Sequence, residues 1–262
     1  MILTASYVLP IHEQYIEDGA VLVREGEIKE VGKRADLVAK YPGEEIKDYG
    51  QAALCPGFVD THTHLEYTVF RGLVEDLPYS EWKSAVMELE GKLDDDDWND
   101  SALLGALEAL SSGITTIADI TNKGASLRAV NAAGLRGIVY RELETMNKCN
   151  VDVVMDEAVK DIEEWESNLT HPERVSIGIA PHSVYSCHPS LFKKVAAYAS
   201  DGRPVALHLA GSSEEYGFVK YGSSILKHDV REQYEKDAPL WLPTGVSPVR
   251  YVHQWDILKV PN

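Results

Sequence analysis

Five short apolar runs, each followed by an amphipathic stretch, constrain this chain more than any single residue does. They begin after Pro56-Gly57 and read GFVDTH (57–62), TTIADI (115–120), RGIVYREL (136–143), RVSIGIAPH (174–182) and RPVALHLA (203–210). Between them, DDDDWNDSALLGALEALSSG, SLRAVNAAG, DEAVKDIEEWESNL and SLFKKVAAYASDG carry apolar residues at helical spacing. The first of these helices has acids in its opening turn and Gly113 where a C-terminal cap belongs. Its four aspartates, Asp94 to Asp97, therefore read as a solvated helix start rather than a metal cluster. Strand then helix, repeated, requires a parallel sheet with right-handed crossovers. The expected class is α/β, a partial (β/α)8 barrel with about five βα units.

Residues 1–54 have a different character. EDGAVLVREGEIKEVG has a β-run at 20–24, a Glu25-Gly26 turn and a second run at 27–31, the pattern of a hairpin. RADLVAKY reads as a short helix, and the chain returns as a strand near Ile46. The division expected is 1–54 for a piece of a small β-sandwich and 55–262 for the first part of the barrel. Helical stretches are expected around REQYEKDA (231–238) and SPVRYVHQWDIL (247–258). A closed eight-strand barrel takes about 250 residues, whereas here about 205 follow the N-terminal strands and hold five. The chain is therefore expected to be a fragment, to lack a C-terminal half supplied elsewhere, or to form a homo-oligomer that shields its open edges.

The formal net charge is −17, which repels a phosphate backbone or an anionic membrane surface. A nucleic-acid polymer is excluded on that ground, whereas a small heterocycle in a pocket is not. Cys55, Cys149 and Cys187 are too few and scattered for a disulfide framework or a cysteine zinc site. The opening MILTASYVLP reads as a strand rather than a signal peptide, and no apolar run reaches the roughly 18 residues of a membrane span. A cytoplasmic protein is expected.

The chemistry starts at FVDTHTHLE. Residues i and i+2 of a strand project to one face, so His62 and His64 point together while Thr63 points away. Neutral imidazole is the commonest metal ligand, and the carboxyl end of a barrel strand is where such folds place their sites. A lone His-x-His pair is equally well two polar strand-end residues. The fourth run, however, ends in His182 and the fifth carries His208. Three strands bearing histidine at the same end are hard to attribute to packing.

Taken together and in order, PGFVDTHTHLEYTVFRGL, ALCPGFVD, GITTIAD, APHSVYSCHPSLF and HLAGSSEEYGFVKYGSS resemble the amidohydrolase superfamily. The likeness is strongest to its cytosine deaminase-like branch, with S-adenosylhomocysteine/methylthioadenosine deaminases, aminodeoxyfutalosine deaminases and triazine chlorohydrolases. The resemblance implies a TIM-type barrel and one divalent ion, zinc or iron, held by His62, His64 and His208, with further ligands from later strands. Such an ion lowers the pKa of a bound water to about 7, and that water replaces an amino group on an aminated purine nucleoside or related heterocycle. His182 is then the residue that hydrogen-bonds the substrate. SIGIAPH offers no lysine of the kind two-metal branches use, so a single ion is implied.

Two departures qualify the resemblance. The branch carries a proton-shuttling glutamate three residues after the fifth-strand histidine, and here that position is Gly211. Glu214 is the candidate replacement, while Ser212-x-x-Glu215 reads as a capping box opening the next helix. The later strands, with the family's fourth histidine and its aspartate, have no counterpart; His253 is read as a satisfied polar-face residue. Arg71 and Trp82 are further candidates for meeting substrate, Glu66 is read as a solvated loop charge, and Asp119 as a strand-end contact or a residue orienting a ligand histidine. His12, His171, His188 and His228 carry no signal. The function expected is metal-dependent hydrolytic deamination, with removal of halide as a close variant. The alternative is a catalytically inactive relic or interaction module of the same fold.

Overall fold

The structure, a computed structural model, describes residues 1–223 and 243–260. His228 and the helical stretch expected at 231–238 lie outside the described residues. The chain divides into two compact units, Met1–Phe58 and Val59–Asn262.

In the first unit, β1 (Ile2–Val8) lies between β2 (Ile16–Arg24), antiparallel to it, and the short parallel strands β4 (Ile46–Asp48) and β5 (Ala53–Leu54). Strand β3 (Glu27–Lys33) completes the expected hairpin with β2. Its turn has positive φ at both Glu25 (54°) and Gly26 (76°), the primed geometry that matches strand twist. Helix α1 (Arg34–Lys40) closes one face, where Leu37 meets Ile2, Ala20 and Leu22.

Among the described residues the second unit has a sheet of four strands in the order β6 (Phe58–Thr63), β7 (Ile114–Thr121), β8 (Arg136–Leu143), β9 (Val175–Pro181). The β7–β8 and β8–β9 pairs are parallel and in continuous register. Helices α2 (Tyr79–Glu90), α3 (Asp95–Ser111), α4 (Ala125–Ala133), α5 (Val151–Ser167), α6 (Pro189–Tyr198), α7 (Ser213–Tyr221) and α8 (Pro248–His253) accompany the strands. Strands β7, β8 and β9 bury residues on both faces, as parallel sheets require, whereas β6 is largely exposed. Ile117, Val139, Ile177 and Ile179 belong to the large core with the helices, while Ile120, Tyr140 and Ala180 form a separate layer with Ala118, Ile138 and Ala206. Each fully buried aliphatic or aromatic side chain contributes about 1.5–3 kcal/mol. The α3 start is a true capping box: Asp94 accepts from the amides of Asp96 and Asp97, and Asp97 accepts from the Asp94 amide. Gly113 follows the helix at φ 85°, the left-handed conformation expected of a terminator.

The fifth expected strand takes a looser form. Val205 bridges Ile179 and His208 bridges Ser183, with the amides of Ala206 and His208 donating to Ile179 and His182. Pro204 removes one donor from this run, and Ala210 turns out of it at φ 57°. Its other side is paired with no strand among the described residues. Among those residues no helix is long and apolar enough to cross a membrane.

Candidate active site

The ends of β6, β9 and the fifth run bring four imidazoles together. The rings of His62, His64 and His208 lie 4.9–5.2 Å apart, centre to centre, and His182 lies 5.0 Å from His208. His62, His64 and His208 each offer a nitrogen within 4.8 Å of the others. Nε2 of His64 is 3.1 Å from Nε2 of His208. A tetrahedral ion with nitrogen ligands at 2.0–2.1 Å separates its ligand atoms by about 3.3 Å, so this spacing suits such an ion.

Hydrogen bonds set which nitrogen of His208 is available. Its Nδ1 lies 3.0 Å from the His182 carbonyl oxygen, which can only accept, so Nδ1 carries the proton and Nε2 presents its lone pair to His64. Burial pushes His64 down to about 3, with the charges of His208 and His62 adding to the effect; burial and then His62 push His208 down to about 4. Both rings are thus neutral at physiological pH, the form a metal ion requires. Tyr67 stacks on His64 at 5.4 Å and 10° and fixes its plane. A second grouping, Glu142, His182 and His208, is also close enough to hold an ion. It shares His208 with the first grouping, so the two compete; the nearer Glu142 oxygen lies 3.8 Å from Nδ1, which already donates to a carbonyl.

Buried charge surrounds the rings. Glu142 ends β8, accepts from the Asn122 side-chain amide at 2.8 Å, and has its other oxygen 3.8 Å from His208 Nδ1. Burial pushes it up to about 7, against the pull of Lys83 and Asn122. Lys83 on α2 is itself buried; burial opposes its charge, but Glu144 and Glu142 more than offset this and raise its pKa. His182 is buried with Nδ1 2.7 Å from the Ser186 hydroxyl and 3.3 Å from Glu144.

Several expected residues sit elsewhere or act differently. Arg71 is exposed and forms a bidentate pair with Glu108 of α3, since a guanidinium fork meets a carboxylate best that way. Trp82 stacks on Tyr79 and packs against the core of the second unit. Glu214 accepts from the Ser80 amide at 3.3 Å, turning it toward α2. Glu66 is not a solvated loop charge, and the expectation is corrected: it is buried and accepts from the Thr121 hydroxyl and the amides of Asn122, Ala125 and Ser126. The unpaired amides and dipole at the start of α4 draw it in. Asp119 is fully buried and accepts from the Leu65 amide at 2.7 Å, fixing the main chain next to His64. His188 caps α6, and His253 ends α8 on the surface. Glu142, Glu144 and Lys83 were missed, and Glu215 was read only as part of a cap. Of the three missed, only Glu142 carried a sequence signal, as a polar residue near a strand end like the histidines.

A parallel β/α sheet that gathers imidazoles at one end of its strands is the architecture of the barrel hydrolases. The comparisons narrow this. Residues 53–246 match the amidohydrolase family model, and the chain belongs to that family. Residues 19–43 also match a bacterial imidazolonepropionase-like composite domain. The 5-methylthioadenosine/S-adenosylhomocysteine deaminase of Nitratidesulfovibrio vulgaris is 32% identical over 206 residues, covering 76% of this chain and 46% of the relative. Helicobacter pylori aminofutalosine deaminase in complex with methylthio-coformycin superposes with a TM-score of 0.78 at 21% identity, covering 91% of this chain and 58% of that one. Atrazine chlorohydrolase from Arthrobacter aurescens, complexed with zinc, gives 0.75 at 21% identity, covering 98% and 58%. The chain thus spans about half the length of the curated relative it matches.

Proposed function

We propose that this chain carries the ion-holding histidines of a hydrolytic deaminase acting on an aminated purine nucleoside or a related heterocycle. The observation that carries the reading is the meeting of His62, His64 and His208, with two neutral Nε2 atoms 3.1 Å apart. In this reading these three residues contribute to holding one divalent ion, zinc before iron. When bound, that ion polarises the substrate and supplies a water whose pKa is lowered to about 7. The His182 carbonyl keeps the His208 ring in its tautomer, with a Glu142 oxygen 3.8 Å from the same nitrogen. His182, with Nδ1 engaged by Ser186 and Glu144, has its other nitrogen for the substrate. The stacked Tyr79 and Trp82 offer an aromatic surface for a flat ring, while Arg71 is already committed to Glu108. The N-terminal strands are, in the same reading, the first part of a composite β-sandwich, which the match at residues 19–43 supports. Three free cysteines accord with a reducing cytoplasm.

The test is metal analysis and ammonia release by the full-length protein, offered 5-methylthioadenosine, S-adenosylhomocysteine and adenosine. Stoichiometric metal and ammonia are expected, and His64→Ala should lose both. Chloride from atrazine without ammonia would move the reading to halide removal. Gly211, in place of the usual glutamate, favours a second reading, a catalytically inactive relic or interaction module. Neither metal nor turnover in the full-length protein would establish it.

A further inference from the structure

Behind His208 lies a cavity of about 100 Å³ lined by Tyr79, Tyr185, His208, Gly211, Ser212 and Glu215. Ligand sites usually measure about 300–1,000 Å³, so this space suits water rather than a heterocycle. Its walls are mostly apolar, but polar groups reach into it: the Tyr79 and Tyr185 hydroxyls are in short contact, and Glu215 is 3% exposed. The capping expected of Ser212 and Glu215 is present in part. Ser212 Oγ accepts from the Glu215 amide, and Glu215 Oε2 accepts from the Gly211 amide at 2.9 Å. That occupies one carboxylate oxygen. The other, Oε1, is buried with no hydrogen-bond partner among the described residues. A residue that only caps a helix leaves no reason to hold a second oxygen uncommitted beside a water-sized cavity that two tyrosines and a histidine also line.

We propose that Glu215 is the proton-transfer residue of this chain, reaching the reacting centre through water in the cavity that the absence of a side chain at Gly211 leaves open. The inference rests on the deaminase reading above and extends it. Burial raises the carboxyl pKa toward the working range, with the Gly211 and Ala210 amides pulling it back. The groups facing it are Tyr79 from α2, Tyr185 after β9 and His208; both tyrosines are held above their ordinary pKa by burial and stay neutral. The attacking water forms the new C–O bond and gives a proton to Glu215. Glu215 passes it to the ring nitrogen that received the C=N electron pair. The new hydroxyl then yields its proton by the same route to the exocyclic amine. The C–N bond breaks, ammonia leaves, the carbonyl forms, and Glu215 returns to its starting charge.

The test uses the full-length protein, E215Q, and E215Q combined with Gly211→Glu. A Cβ at Gly211 meets nothing within 4 Å, so the second change starts into open space. E215Q is expected to lower kcat about 100-fold or more and to remove the acidic limb of its pH profile. Metal content, KM and melting temperature should stay near wild type. Affinity for methylthio-coformycin, measured by calorimetry, should fall about tenfold, and adding Gly211→Glu should recover most of the lost kcat. Wild-type kcat and pH profile in E215Q would overturn the inference while leaving the deaminase reading intact. So would a loss accompanied by lost metal or a lowered melting temperature that Gly211→Glu does not recover. Absence of ammonia release from the unaltered protein overturns the deaminase reading itself, and this inference with it.

Discussion

Asp119 ends up fully buried with one oxygen on the Leu65 amide. Burial pushes its carboxyl up to about 8, with the Ser126 hydroxyl and the Leu65 amide pulling the other way. Between about pH 4 and about pH 8 the folded chain therefore holds a proton that the unfolded chain has released. The unfolded state binds fewer protons, so stability falls as pH rises through that window. In Asp119→Asn the side-chain oxygen can keep the Leu65 bond, and that part of the slope disappears. Urea midpoints at about pH 5 and about pH 8 should differ less in the variant than in wild type. Such residues were poorly legible in the sequence. Asp119, Glu66 and Glu142 are acids near strand ends, and in one dimension they look like the solvated acids that abound in a chain of charge −17. Only the folded sheet shows which acids face inward. The histidines were legible because spacing and repetition at strand ends single them out.

At the scale of elements, regularity was easiest to read where local chemistry and the tertiary fold agree. Helix α3 is the case in point, with an Asp94–Asp97 box at its start and Gly113 beyond its end. Asp94→Ala removes the acceptor for two amides and should cost about 1 kcal/mol, read as a lowered urea midpoint with an unchanged slope. The same reading gave the β2–β3 hairpin, whose turn residues both take positive φ. The run at 203–210 was less legible. Its composition is that of a strand, but Pro204, the turn at Ala210 and pairing on one side alone leave it as isolated bridges. Strand formation depends on neighbours, and a run's own residues do not report them. The Ser212–Glu215 signature was legible as a cap, and the cavity beside it was not.

For the molecule as a whole, an ion bound by the folded state and not by the unfolded one adds stability by mass action. At about 100 times the dissociation constant the gain is about 2.7 kcal/mol. Added zinc should therefore raise the melting temperature, a chelator should reverse the rise, and His64→Ala should abolish it while leaving the zinc-free melt nearly unchanged. A shift that persists in His64→Ala would assign the binding to another place. Among the described residues β6 pairs with β7 alone, and this bears on how such melts are read. Phe58 and Val59 at the start of β6 are each 62% exposed, so the concentration dependence of the melt should be measured alongside.

Glu66 follows His64 by two positions and reaches across to the start of α4, so one short stretch of chain serves both the histidine pair and the next βα unit. Saturation mutagenesis scored by growth would rank position 66 with the histidines, although its own carboxylate is spent on main-chain amides. Clinicians of enzyme families, annotating by such scores, would enrol a joist among the tools; a thermal-shift counterscreen run beside the growth assay separates the two.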